Sequence, residues 1–379
     1  MMLLPILALV HYQTLDFNKA WEQTTKAIES RYYARTTRAD ELKKRLADAE
    51  PKARAAKSRP EFEKVVNDMI DGFGDSHFDF FTDDDQGYYT MDNLTGGKLE
   101  LPQIGAWFRR GQDGYTVHMV LNDSEAEKAG LVKGDLIVSA DGQPFEPVAS
   151  FRNKSKVHLK FRRGSKDFEK DVDVSLTTAT GMFLEASRRS ARVIESGGKK
   201  IGYFRLWTQA SDDFRKALSD ALDGKLRDTD AFVLDLRDGF GGRPEGFGDP
   251  FFRPGVTLEW KFSPTASMKQ SFGYGKPLVV LINEGSRSAK EVLAYVFKYS
   301  HRATLVGRNT AGNVLGTSPI RLNDWAVIEI PMVELMTDGV RLEGKGVAPD
   351  VALEKEYDEN GKDLFLERAL KIAATGKKD

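Results

Sequence analysis

The sequence predicts a multidomain α/β (α+β) protein, and three stretches carry that prediction. From about residue 180 strands alternate with helices, and strand runs such as AFVLDLR and KPLVVLIN are almost wholly apolar. Such runs mark a largely parallel sheet covered on both faces. Residues 98–177 instead hold short strands and turns, whereas residues 16–73 carry helical periodicity. A chain of 379 residues accommodates about two or three such regions, each with its own core.

The chain opens on MMLLPILALVHYQ. The apolar run at 3–10 is far shorter than the ~20 residues of a membrane helix. It is similar to the apolar core of a secretory signal, without a basic leader or a small-x-small cleavage site. Residues 1–12 are therefore read as a signal-like segment, which predicts export to a periplasmic or extracellular space. A start codon misplaced within a longer signal, a buried first segment and a cytoplasmic protein are the other readings.

The helical region, 13–82, has Phe17, Trp21, Ile28 and Tyr32, then Leu42 and Leu46, then Phe62, Val65, Val66, Met69 and Ile70 near helical spacing. Ser58 with Glu61 forms a capping box, and Pro60 falls in a first turn where its missing N–H costs little. Glycines end this helix in GDSHFDF, 74–80. Residues 83–97, DDDQGYYTMDNLTGG, read as a linker. The β region 98–177 follows with IGAWF, GYTVHMVL, DLIVSADG, VHLKFRRG and FEKDVDVSL as strands and SEAEKAG as one short helix. The last region, 180–375, begins with a hairpin turning at Gly197 and Gly198 and continues with helices at 212–225 and 289–299.

Composition narrows the chemistry. A net charge of −1 gives no electrostatic reason for a nucleic-acid or anionic-membrane partner. With no cysteine there is no disulfide, no thiol nucleophile and no cysteine metal site. No histidine pair at helical spacing suggests a metal, and no cofactor is expected.

The stretch NEGSRSAKE, 283–291, joins an apolar strand to a helix and places Ser286 and Ser288 at the junction. Ser288 is either an ordinary N-cap or a nucleophile at the positive end of a helix, where N–H groups favour developing negative charge. A serine nucleophile needs a base, and the chain has five histidines. His11 lies in the signal-like segment, His118 and His158 lie mid-strand, and His301 follows the helix after Ser288. His77, in a glycine-flanked loop, is the remaining candidate. The Ala289 N–H is the natural first oxyanion donor. A second can come from the glycine-rich turn in DLRDGFGG, 235–242, which is either a close-approach loop or a bare turn.

Four stretches together resemble the C-terminal processing (tail-specific) and tricorn-core serine peptidases. GDSHFDF is similar to their Asp-x-His-Thr element, DLRDGFGG to their DLR-x-N-x-GG turn, NEGSRSAKE to their nucleophile motif, and RLEGKGVAPDV at 341–351 to their closing element. The resemblance implies a crotonase/Clp-protease-like layered α/β catalytic core. It makes Ser288 the nucleophile and leaves Ser286 to a turn. Where the processing branch carries a lysine this chain has Asn313, and no lysine occurs between Lys298 and Lys345. The tricorn-type set is matched by Ser288, His77, Ser76 and Glu343, with Gly241 and Ala289 as the oxyanion hole. Departures are Arg287 and Lys290 in place of small residues, Phe78 in place of threonine, and Arg308 in place of glutamate.

The β region resembles a PDZ domain through IGAWF and SEAEKAGLVKGDLIVSADGQPF. That resemblance implies a peptide site at Ile104, Gly105, Ala106 and Trp107, where a peptide C-terminus would add as a strand. Only VASFRNKSK follows Pro147, so the helix walling such a groove must be very short, with Val148 and Phe151 as its candidate wall residues. The expectation is a serine endopeptidase acting on exposed or unfolded polypeptides. A non-enzymatic peptide binder with a disabled core is the alternative, and a crotonase-like acyl-transfer or ester-hydrolysing enzyme is a third reading.

Overall fold

The computed structural model describes residues 15–253, 256–359 and 361–378. The signal-like segment 1–12 lies outside them.

The centre is a six-stranded sheet. Its strands run in the order Val351–Ala352, Thr304–Gly307, Leu278–Ile282, Ala231–Asp235, Lys199–Arg205 and Arg192–Ser196. Neighbours are parallel except for the edge hairpin at Arg192–Ser196. Alternate side chains explain why these strands are apolar throughout. Ala231 and Val233 face the C-terminal helix Leu364–Thr375, packing with Phe365, Ala369 and Ile372. Phe232 and Leu234 face the opposite layer, with Phe183, Phe214, Leu218, Leu293 and Phe297 from three helices. A two-layer cover of this kind needs apolar residues on both faces of each strand.

The N-terminal helices Phe17–Arg31, Ala39–Ala55 and Arg59–Asp71 follow the predicted periodicity. Ser58 accepts the Glu61 N–H as the predicted cap. Their buried faces share one core with Trp325, Ala326, Ile328 and Ile330. Those residues belong to a second sheet in which Asp79–Thr82 pairs antiparallel with Ala326–Val333, itself paired with Gly316–Arg321. The chain thus returns from its last region to close the core of its N-terminal helices.

The expected linker 83–97 is instead built around a helix, Gln86–Leu94, capped by Asp85, whose side chain accepts the Gly87 N–H. Tyr88 and Met91 on this helix pack against Val327. Early glycine, β-prone tyrosines and flanking aspartates hide the helix from propensity, and packing against the second sheet overrides them. The β region forms a five-stranded antiparallel sheet from Ala106–Gly111 to Lys166–Asp173 around its own core, with Ile104, Phe145, Phe151 and Phe161 at its centre. The predicted short helix is Glu125–Lys128. After Pro147 the chain makes only turns.

Candidate active site

The parallel strands Ala231–Asp235 and Leu278–Ile282 deliver two turns to the same end of the sheet, their carboxyl ends, where open α/β sheets bind ligands. The first turn is 236–242 and the second is 283–288, which opens the helix Ala289–Tyr299.

Ser288 has φ +59° and ψ −130°, far from the extended backbone of an ordinary N-cap. Such conformations cost of order 1–3 kcal/mol and persist only where the surroundings enforce them. Glu291 does much of the enforcing. Its buried carboxylate accepts the Ser288 N–H at 3.1 Å, the Thr310 hydroxyl at 2.6 Å, and the Gly312 and Asn313 N–H groups at 2.7 and 2.8 Å. The Asn313 carbonyl also accepts the Ser288 N–H at 2.8 Å. Ser286 is fully buried: its hydroxyl donates to the Leu236 carbonyl at 2.9 Å and accepts the Asn283 N–H at 3.1 Å, tying the two turns together. The two serines therefore differ in role.

Gly241 lies against Ser288 so closely that a Cβ there would sit 2.3 Å from Ser288 Cβ and 2.7 Å from Oγ. Only glycine fits. Its carbonyl is drawn away from Ser288 by the Gln209 N–H and the Thr208 hydroxyl, each at 2.8 Å. Among the described residues the Gly241 and Ala289 N–H groups have no acceptor. Lys290, which the sequence leaves as an unexplained basic residue, is fully buried and turned back to donate to the Asp238 carbonyl at 2.6 Å. Burial, with Arg205 nearby, pulls its ammonium down to about 7.

Behind this turn sits a network of buried charges. Arg237, 1% exposed, binds Asp235 at 2.6 Å, Asp363 at 2.7 Å and Glu356 at 3.0 Å. Asp238 pairs with Arg205 at 3.1 Å and with Lys133 of the β region at 2.7 Å. Burial alone would raise the Asp235 carboxyl, but Arg237 and Arg205 reverse that and hold it well below its usual range.

His77, with φ +55°, reaches the site from the N-terminal helices. Its loop is pinned through Asp75, which accepts from Arg38 at 3.0 Å and from the Tyr32 hydroxyl. Phe78 packs between Tyr32 and Phe73, which explains why an aromatic residue suits a position expected to hold threonine. Ser76 Oγ lies 3.0 Å from His77 Nδ1 and 3.0 Å from Glu343 Oε2, and the Ser76 N–H donates to Glu343 Oε1 at 3.2 Å. Glu343 is itself held by the Val314 and Leu315 N–H groups at 2.6 and 3.1 Å. Burial, and secondarily Arg287, lowers the His77 imidazole to about 3.

His77, Ser288, Ala289 and Gly241 all line one cavity of about 390 Å³, together with Arg287, whose guanidinium lies 4.8 Å from the Phe240 ring centre. The other expected site looks different. Ile104, Ala106 and Trp107 are buried, the Trp107 ring lying tilted against Phe183 at 4.5 Å between centres. The Gly105 N–H is taken by the Gln103 side chain. Gln86 donates to the Ala106 carbonyl at 3.0 Å and accepts the Phe108 N–H at 3.1 Å. Val148 and Phe151 are fully buried as well. Sequence reasoning missed Glu291, Arg237 and Lys133, whose roles depend on partners distant in the chain; only the DLR run in DLRDGFGG offered a signal for Arg237.

A strained serine at a helix start that shares a cavity with a histidine is an arrangement suited to a serine hydrolase. Residues 200–353 match the description "Peptidase family S41". The matched stretch, similar to that family, includes Gly241, Ser288 and Glu343. It is 25% identical over 328 residues to the chloroplastic carboxyl-terminal-processing peptidase 1 of Arabidopsis thaliana, covering 80% of this chain and 65% of that protein. It is 26% identical over 355 residues to the carboxy-terminal processing protease CtpA of Bacillus subtilis, covering 89% and 68%. The chain thus spans about two thirds of the length of these relatives. Its fold is similar to that of the photosystem II D1 C-terminal processing protease, with a TM-score of 0.56 at 19% identity and coverage of 96% and 98%. It is also similar to the tricorn protease, with a TM-score of 0.58 at 17% identity and coverage of 95% and 37%. Among the described residues no helix is long and apolar enough to cross a membrane.

Proposed function

We propose that this chain is a serine endopeptidase that cleaves exposed or unfolded polypeptides through an acyl-enzyme on Ser288, with His77 as general base. The observation that carries the reading is one cavity lined by both His77 and Ser288, with Gly241 fitted against Ser288. Ser288 Oγ attacks the scissile carbonyl carbon and its proton passes to His77. The C–N bond then breaks, the leaving amine takes that proton, and water repeats the sequence to free the acid. A base so placed contributes ~10²–10⁴-fold.

Ser76 and Glu343 serve as positioning residues. A carboxylate only accepts, so the single Ser76 hydroxyl proton goes to Glu343 and Ser76 Oγ accepts from His77 Nδ1–H. That tautomer leaves Nε2 with the lone pair a base needs. Burial keeps the imidazole neutral, and the Glu343 charge offsets the imidazolium that forms during reaction. Ala289 and Gly241 N–H groups receive the oxyanion.

The PDZ-like assignment of the β region remains part of this proposal as a fold. Peptide capture at its first strand is not, because Gln86 and Gln103 already hold the backbone groups such a peptide would pair with. The test is a fluorophosphonate probe and casein, each applied to the native protein and to Ser288→Ala. Labelling and cleavage that both vanish in the variant support the assignment. Labelling that survives it overturns the nucleophile, and absence of both in the native protein overturns the enzyme reading.

A further inference from the structure

The cavity beside Ser288 has a feature that acyl transfer does not use. Its walls include Met91, Leu94, Val314, Leu315, Pro319 and Leu335, and among these apolar side chains stands Glu329. Glu329 is 6% exposed and lies directly opposite Asp79 across the antiparallel pair Asp79–Thr82 and Ala326–Val333. Its other cross-strand neighbour, Pro319, also lines the cavity. Directly opposed side chains share one face about 4.5–5.5 Å apart at Cβ, where two like charges repel.

Among the described residues no cation comes within 4.0 Å of either carboxylate. Arg287 is close enough to favour their ionised forms, yet it is in no ion pair with them and its guanidinium is placed over Phe240. Burial, reinforced by Asp79, pushes the Glu329 carboxyl up to about 8. Arg287 and, for Asp79, Arg109 act only at a distance, and Arg243 and Glu245 balance one another elsewhere in the lining, so what the acidic pair lacks is a direct cationic partner. Buried charges ordinarily have a partner, and an apolar wall that includes one buried carboxylate backed by another suits a long aliphatic side chain with a cationic tip.

We infer that Glu329, seconded by Asp79, is the specificity-determining residue of this cavity and selects substrates that insert a lysine or arginine side chain beside Ser288. The inference rests on the peptidase reading above. The incoming ammonium or guanidinium replaces the proton that the carboxylate pair retains in the empty site, and that proton leaves to solvent. The aliphatic stem lies along Leu315, Pro319 and Leu335. Arg287 remains on Phe240 and leaves the pair without a direct partner, while the two carboxylates themselves repel acidic side chains.

The experiment uses fluorogenic peptides identical except for one residue beside the scissile bond: lysine, arginine, norleucine or glutamate. In the native protein the lysine and arginine peptides should exceed norleucine in kcat/KM by about 10- to 100-fold, the worth of a hydrogen bond to a charged group, with glutamate slowest. In Glu329→Gln the lysine-to-norleucine ratio should fall to near unity, and Asp79→Asn should lower it partway. A general loss of folding or activity cancels from a ratio taken within one variant, and fluorophosphonate labelling of each variant reports that Ser288 remains competent. Native protein that labels but prefers norleucine or glutamate overturns the inference while sparing the peptidase reading. So does a ratio unchanged by Glu329→Gln. Protein that neither labels nor cleaves overturns the reading beneath it.

Discussion

Two groups of buried charges flank Ser288, and they are built on opposite terms. Behind the oxyanion turn, Asp235, Asp238, Glu356 and Asp363 each meet a cation at 3.1 Å or less, from Arg237, Arg205 or Lys133. Across the cavity, Asp79 and Glu329 face one another, with no ion pair among the described residues. The first group is scaffold: its members satisfy one another and fix the turn that carries Gly241. The second is left incomplete, and in a site lined by a nucleophile an incomplete charge is a place for a ligand. Satisfaction, more than burial, separates structural from functional charge here.

The sharpest way to break that contrast is Arg237→Met, which removes the one cation bridging Asp235, Glu356 and Asp363. Leaving buried carboxylates unpaired typically costs 3–5 kcal/mol, so urea unfolding should show a loss of that size. Gly241→Ala comes next. The added Cβ meets Ser288 and the Ala289 N–H, and kcat should fall by ~10²–10³, the usual effect of losing an oxyanion donor, with a smaller change in unfolding midpoint. Lys133→Met should be milder, because Asp238 keeps Arg205 and Asn283. A loss of about 1–2 kcal/mol is expected, within the 1–3 kcal/mol range for leaving a charged acceptor short of one partner, with kcat reduced more than KM.

Acid dependence probes the catalytic base. Because burial and then Arg287 hold His77 near 3, the acid limb of kcat/KM should lie well below the ~6.5 of a free imidazole. Arg287→Gln should move that limb upward. Glu329 is tested by pH as well. Its folded value of about 8 stands above the 4.5 of the unfolded chain, owing to burial and then Asp79, with Arg287 and Thr317 opposing. The stability this proton contributes is fully present below pH 4.5 and is lost as pH rises toward 8. Glu329→Gln should flatten that decline in an unfolding-versus-pH series, whereas Arg237→Met should leave it in place.

Much of this organisation was legible in the sequence because it is local. The helix 289–299, the hairpin at Gly197–Gly198 and the N-terminal helices follow from periodicity and turn chemistry, and each lies where it was expected. The set Ser288, His77, Ser76 and Glu343 came from motif resemblance, and the fold brings Ser76, His77 and Glu343 into one hydrogen-bonded chain. What escaped is pairing at long range. Glu329 reads as one more charge in a strand until the register places Asp79 opposite it. Arg237 finds its partners 119 and 126 residues onward, and Lys133 reaches Asp238 across 105. No periodicity encodes such distances. The helix Gln86–Leu94 was missed for the same reason, since its support is Val327 rather than its own propensity.

That nine-residue helix has one end on the β region and the other on the cavity: Gln86 holds the backbone of Ala106 and Phe108, while Met91 and Leu94 line the wall beside Ser288. A strand added at that edge competes with Gln86 for the same two backbone groups, so its affinity is reduced by the free energy of releasing that side chain. Linkage makes any such coupling reciprocal: were release of Gln86 to shift the wall a substrate touches, a substrate packed on Met91 would change by the same factor how readily the edge opens. The segment that read as a linker joins two surfaces that lie far apart in the chain.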